Sequence, residues 1–212
     1  MTPLAMTGIT AMRQTRMFKT APVVLALTLV LALPGCLGLG GKPPPTLLTL
    51  APATPIPAGA VSSGDPHTAI MVMEPETDQR LATVRVPVQI DDINVAYVKK
   101  TAWVERPARL FRALLAETLR SKTSALVLED TQAAANVGVR LSGRLIDMGY
   151  DVRTSSVVVR FEAIRSGPSG AVVTKRFESI VPSIQPKPAF IGPALNRAAN
   201  DVAGQVASWV TG

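Results

Sequence analysis

An uncharged apolar run from Ala21 to Leu33 decides which part of this chain is left to fold. Arg13, Arg16 and Lys19 stand before it, and no acidic residue does. A membrane-spanning helix needs ~20 apolar residues, and this run falls short of that. A basic stretch followed by a short apolar one is the layout of a secretory signal peptide. The run closes on Leu33-Pro34-Gly35-Cys36, with a small residue just ahead of the cysteine, as at a cleavage site. Residues 1–35 are therefore read as a leader, and folding is expected only beyond it. Residues 1–11 carry no charge and add nothing to a signal, so Met1, Met12 and Met17 all stand as candidate starts.

Cys36 is the only cysteine in the chain. No internal disulfide is available, and in an exported protein a lone thiol is a liability that lipidation removes. The competing reading is a buried free cysteine in a core helix. Basic residues before it and helix-breaking glycines and prolines after it argue against that. The segment Leu33 to Cys36 resembles the lipobox of bacterial lipoproteins, with Pro34 where Ala or Ser is more usual. The resemblance implies that Cys36 becomes the first mature residue. It would carry acyl chains of the palmitate type and anchor the protein to a membrane.

Three of the 22 basic residues lie in the leader, leaving 19 against 15 acidic ones, a net charge of +4. Aromatic residues make up 4% of the chain and the bases are scattered. Nucleic-acid binding calls for clustered Lys and Arg interleaved with stacking rings, so no nucleic-acid partner is expected. The charge suits a general affinity for anionic headgroups or acidic partners and nothing narrower.

From 37 to 66 the chain holds seven prolines and five glycines with few charges. Such a composition buries too little apolar surface to fold alone. Together with Cys36 it reads as a lipidated tether, which as a coil spans about 30 Å. Its one apolar stretch, Leu47 to Ala51, is a candidate short edge strand. The folded domain is read as 67–212, long enough for one core and without an internal repeat.

Within that domain, Ile70 to Met73 reads as a short strand. In Leu81 to Ile90 the apolar residues recur every second position, the period of a half-buried strand. Pro87 lacks a donor and places that strand at an edge or a bulge. Ile93 to Val98 reads as a strand. A helix is predicted from about Glu105, with Leu110, Phe111, Leu114, Leu115 and Leu119 as its apolar stripe and Arg109, Arg112, Glu117 and Arg120 facing away. Ala125 to Leu128 is a short strand. Three strands follow, through Val137–Leu145, Val157–Ala163 and Ala171–Val181, the last two joined by the turn Ser166 to Gly170. A closing helix from about Lys187 carries Ile191, Leu195, Ala198, Ala199, Val202, Val206 and Trp209 on one side. Strands then helix, twice over, predict a single α+β domain. Two main helices pack on one face of a mainly antiparallel sheet.

No reactive constellation stands out, and an enzyme is not expected. His67, the only histidine, has no second His or Cys to join it in a triad or a zinc site, so it reads as an exposed loop residue with no metal role. The run Gly38-Leu39-Gly40-Gly41-Lys42 is no phosphate loop, because Cys36 stands where its first Gly belongs and Pro43 follows Lys42; no cofactor is expected. Asp91-Asp92 and Glu129-Asp130 are neighbours on strand ends, where successive side chains point to opposite faces, and read as solvated turn residues. Tyr97 and Trp103 bracket Val98 to Ala102. They are either core plugs or candidate partner-contact residues, since Trp and Tyr are favoured at interfaces.

The segment Tyr97-Val98-Lys99-Lys100-Thr101-Ala102-Trp103-Val104-Glu105-Arg106-Pro107-Ala108-Arg109-Leu110 resembles the spaced Tyr, Trp, Pro and Leu core of the ABC-type transport auxiliary lipoproteins. That family includes the paraquat-inducible protein C-like lipoproteins that accompany MCE-type lipid transporters. Leu48 to Pro52 is similar to its opening strand, Leu81 to Val86 to its second, Arg176-Phe177-Glu178 to a late strand and Ser208-Trp209-Val210 to its closing helix. The likeness runs from about 46 to 211; Thr46 and Leu47 stand where the family's opening strand carries Tyr. It implies a non-catalytic accessory component of an ABC/MCE-type system moving lipids or other hydrophobic compounds. MCE-family and ABC transporter subunits would be its partners. It implies the periplasmic face of a Gram-negative outer membrane, with the inner membrane as the alternative; Leu37, rather than Asp, after Cys36 favours the outer. Homo-oligomerisation stays open. The rival readings are a structural or assembly lipoprotein without a transport role and a lipid-anchored enzyme.

Overall fold

The computed structural model describes residues 46–129 and 137–212. The leader, Cys36, the glycine run 38–42 and Asp130 lie outside the described residues. Nine strands form one sheet. They are β1 Thr46–Leu48, β2 Ile70–Val72, β3 Glu76–Thr77, β4 Arg85–Gln89, β5 Val95–Trp103, β6 Val127–Glu129, β7 Val139–Asp151, β8 Ser156–Ser166 and β9 Val172–Val181. Two helices, α1 Pro107–Lys122 and α2 Pro188–Thr211, complete the domain.

The long ladders are antiparallel: β7 with β8, β8 with β9, and β4 with β5. The short strands pair in parallel. Along β7, the edge away from β8 is shared by β2 at residues 139–141, β3 at 144–145 and β4 at 150–151. The expected α+β architecture, with a mostly antiparallel sheet and two helices, is what the chain adopts. β4 is not an edge strand, since it lies between β5 and β7. The register of β4 on β5 shifts between Arg85 and Pro87, so the proline is accommodated at a bulge.

The helices cover one face. Phe111 of α1 meets Phe161 of β8 with ring centroids 5.1 Å apart. In β8 Val157, Val159, Phe161 and Ala163 are buried, and Val158, Arg160 and Glu162 take the other face. In β7 the buried set changes phase, from Leu141 and Leu145 to Met148 and Tyr150. The cause is the bulge between Leu145 and Asp147, which inserts one residue and turns the following side chains over. α2 buries Ala194, Ala198, Ala199, Ala203 and Ala207 beside Leu195, Val202 and Val206. Its small side chains allow close approach to both the sheet and α1.

The folded unit starts earlier than the proline content of 37–66 suggests. β1 pairs with β5 through Thr46–Thr101 to Leu48–Trp103. The chain then runs over the helices, held by side chains that satisfy its backbone. Ala51 N–H donates to Asn196 Oδ1 at 2.8 Å, Ala53 N–H to Asn200 Oδ1 at 2.7 Å, and Ile56 N–H to Glu117 Oε1 at 2.8 Å. The outer side of α1 shows a second difference. Glu117, Arg112 and Arg120 do not simply face water. They are half-buried, and Glu129 pairs with Arg112 at 3.5 Å and with Arg120 at 3.0 Å.

Candidate functional site

The Tyr97–Trp103 segment lies within β5 rather than after a strand. Trp103 is 2% exposed and belongs to the core. Its indole Nε1 is buried without a hydrogen-bond partner. A ring so enclosed offers no contact surface, which corrects its reading as a partner-contact residue. Tyr97 is half-buried, and the Arg85 guanidinium sits 3.9 Å from its ring centroid. Of the two aromatic candidates only Tyr97 reaches the surface. Cys36, the lipidation candidate, lies outside the described residues. His67 is exposed in a 3₁₀ turn, Pro66–Thr68, capped by the Asp65 carboxylate. Among the described residues no group of three or more His, Cys, Asp or Glu is placed to hold a metal ion. No described helix is long and apolar enough to cross a membrane.

One depression is a cleft of about 260 Å³ on the face of the sheet away from the helices, between β4, β7, β8 and the loop at Arg80. Gly149 lies in its lining where β4 passes too close for a side chain: a Cβ there would stand 2.5 Å from the Pro87 carbonyl oxygen. Its walls are charged and matched. Arg80 Nε donates to Asp78 Oδ2 at 2.9 Å, and Nη2 of the same guanidinium donates to the Ile146 carbonyl at 3.0 Å. Asp147 bridges Arg80, at 3.5 Å, and Arg160. Arg160 continues to Glu178 on β9, Nε to Oε2 2.6 Å. Across the cleft Arg153 grips Asp151, Nη2 to Oδ2 2.7 Å, and also pairs with Asp92.

Two of these carboxyls, Asp78 and Asp151, are held below their usual value. Burial pushes the Asp78 carboxyl up, but the hydrogen bond and charge of Arg80 outweigh it and leave it below its usual value. The Arg153 hydrogen bond lowers Asp151, against a smaller effect of burial. The cleft is thus built to present fixed, alternating charge and to brace the open face. A second groove, of about 270 Å³, is mainly apolar, lined by Val88, Val98, Val152, Pro186, Pro188 and Ile191 beside Lys99.

Sequence reasoning singled out Asp91 and Asp92 as turn residues, and Asp91 does accept from the backbone of Ile93 and Asn94. It passed over Arg80, Asp147, Asp151, Arg153 and Arg160. One signal was available. Asp78-Gln79-Arg80 and Asp151-Val152-Arg153 share a spacing. In both, the aspartate accepts the arginine's own N–H at 2.9 Å while the guanidinium folds back onto it.

No protein-family model matches the sequence, and no curated protein matches it. Solved structures do share the fold. An uncharacterized protein of known crystal structure superposes with a TM-score of 0.62 at 13% identity, over 78% of this chain and 97% of that one. A Xanthomonas campestris protein of family DUF330 superposes with a TM-score of 0.59 at 14% identity, over 79% and 92% of the two chains. PelC from Paraburkholderia phytofirmans, solved as a dodecamer, gives 0.41 at 16% identity over 66% and 87%. At these identities the first two likenesses are of fold alone: the chain has the fold seen in a DUF330 protein.

Proposed function

We propose that this protein is a lipid-anchored envelope protein that works by binding, as a non-catalytic accessory component of an ABC/MCE-type system for lipids or other hydrophobic compounds. The observation that carries the reading is a lipobox-like Cys36 ahead of a domain with the fold of a DUF330 protein. The ordered motifs from 46 to 211 support it. So does the cleft at Arg80, whose acidic and basic groups are paired with one another. Acyl chains at Cys36 would hold the domain on the periplasmic face of the outer membrane, each buried CH₂ contributing ~0.8 kcal/mol. From there its surface would meet the MCE-family subunit.

The test is recovery of partners. The full-length lipoprotein, cross-linked in its native envelope and affinity-purified, should bring down MCE-family and ABC transporter subunits, identified by mass spectrometry. A Cys36→Ser control should lose acyl labelling and most of that recovery. Recovery of cell-wall or assembly proteins in their place would move the protein to the structural reading. Turnover of an envelope substrate by the purified protein would make it an enzyme.

A further inference from the structure

Among the described residues β9 is the last strand on its side of the sheet, and its ten residues pair with β8 alone. Its other edge carries backbone groups that no described strand pairs, a template for one more strand, and the outward Glu178 carbonyl, which Gln205 meets at 3.3 Å, keeps a second lone pair free to accept. Two observations fix which groups point outward. At the β8–β9 turn, Gly167 N–H donates to the Ala171 carbonyl opposite it at 3.0 Å. Antiparallel pairs alternate between bonded and non-bonded, so Val173, Lys175, Phe177 and Ser179 bond to β8, and Thr174, Arg176, Glu178 and Ile180 face out. The Gln205 side-chain amide agrees, donating to the outward carbonyl of Glu178 at 3.3 Å.

Two rows of charge on the helix-free face run to this edge. Asp147, Arg160 and Glu178 stand opposite one another on β7, β8 and β9, and Arg144, Glu162 and Arg176 do the same. Arg176 Nη2 donates to Glu162 Oε2 at 2.6 Å. Signs alternate along each row but in opposite order. One row reaches the edge as a carboxylate and the other, two residues away, as a guanidinium.

We propose that two copies of this protein join edge to edge through β9, antiparallel, about a two-fold axis at Phe177. Glu178 of each copy then stands opposite Arg176 of the other, in a pair that exchanges two backbone hydrogen bonds. Each charge row continues into the second copy with its signs still alternating across six strands. Lys175, whose ammonium lies 5.2 Å from the Phe177 ring centroid, meets Ser179 and no like charge. Moving the axis by one residue would set Arg176 on Arg176 or Glu178 on Glu178, so the charges select this register. The proposal stands apart from the transport reading and is independent of it.

The test uses full-length protein in a density-matched detergent, with sedimentation velocity followed over a wide concentration range. Wild type should dimerise. Glu178→Arg and Arg176→Glu each place like charges in both pairs and should weaken self-association about tenfold or more. Mixed together they place opposite charges in both pairs, and the heterodimer should return to near wild-type affinity. Thr174→Pro removes an outward donor without touching the β8 ladder and should give monomer; it decides the matter if a charge variant fails to fold. A monomeric wild type, a dimer indifferent to Thr174→Pro, or folded charge variants that do not associate when mixed would each overturn the proposal.

Discussion

The hydroxyl of Tyr150, a β7 side chain that is otherwise buried, donates to the Ile184 carbonyl at 2.9 Å. The Ile184 N–H in turn donates to the Ser155 carbonyl at 2.8 Å. Both backbone groups of Ile184 are thus committed to the β7–β8 hairpin, and the segment between β9 and α2 is fixed where it must turn onto the sheet. Tyr150→Phe leaves the ring packed and orphans the carbonyl. It should cost about 1–2 kcal/mol, read as a lower urea midpoint with an unchanged m-value. An unaltered midpoint would show that water replaces the hydroxyl at no cost.

Trp103 and Tyr97 should separate cleanly. Trp103→Ala opens the core and should cost ~3–5 kcal/mol, so any loss of partner binding would follow loss of fold. Trp103→Phe also removes the unpaired buried N–H, which offsets part of the lost volume; it should be clearly milder than the alanine variant in thermal melts. Tyr97→Ala removes a surface cation–π contact with Arg85 and should cost only ~0.5–1 kcal/mol. If Tyr97→Ala stays folded and still loses its envelope partner, the ring is a contact residue; if partner recovery is unchanged, it is not.

Much of this architecture was legible because long elements carry their period in the sequence. Val157, Val159, Phe161 and Ala163 recur at every second position and are buried, with Arg160 and Glu162 between them, and the α2 stripe from Ile191 to Val206 is buried as its spacing predicts. The short strands were not legible in the same way. β3 is two residues long, too few to show a period, and nothing in the sequence says that β2, β3 and β4 share one edge of β7. Proline content misled at 51–56, since Asn196, Asn200 and Glu117, remote in sequence, supply the hydrogen bonds that order this stretch. Trp103 stayed ambiguous because its own segment favours core and contact equally; only the packing of β5 decides.

Stability should depend on pH in one direction. Arg80 holds the Asp78 carboxyl below its ordinary 3.8 in spite of burial, and Arg153 does so for Asp151. The Asn94 side chain lowers Asp91 as well. A carboxyl whose folded-state pKa lies below its unfolded one stabilises above the unfolded value, and that stability is lost as pH falls through the folded one. The urea midpoint should therefore be flat from about pH 5 to 8 and fall below about pH 4. Asp151→Asn should lower the plateau and make the acid fall shallower. A midpoint that rises on acidification, or an Asp151→Asn variant with the wild-type slope, would refute this account of the pairs.

The strap makes a last demand. Asn200 both accepts from Ala53 N–H and donates through Nδ2 to the Ala51 carbonyl at 2.9 Å, so one side chain satisfies a donor and an acceptor of the same stretch. Asn196 adds the Ala51 N–H. Proline content alone would send a protease into 46–66 first, whereas these bonds protect the stretch from Thr46 to about Ile56. Limited proteolysis of the full-length protein should therefore spare that stretch until the domain itself unfolds. Asn200→Ala removes two of its anchors at once and should open it to cleavage, with a stability loss of about 1–3 kcal/mol from two hydrogen bonds. Early cutting between Leu48 and Ile56 in the wild type would mean that the asparagines hold the strap too weakly to order it, and the boundary of the folded unit would move back toward His67.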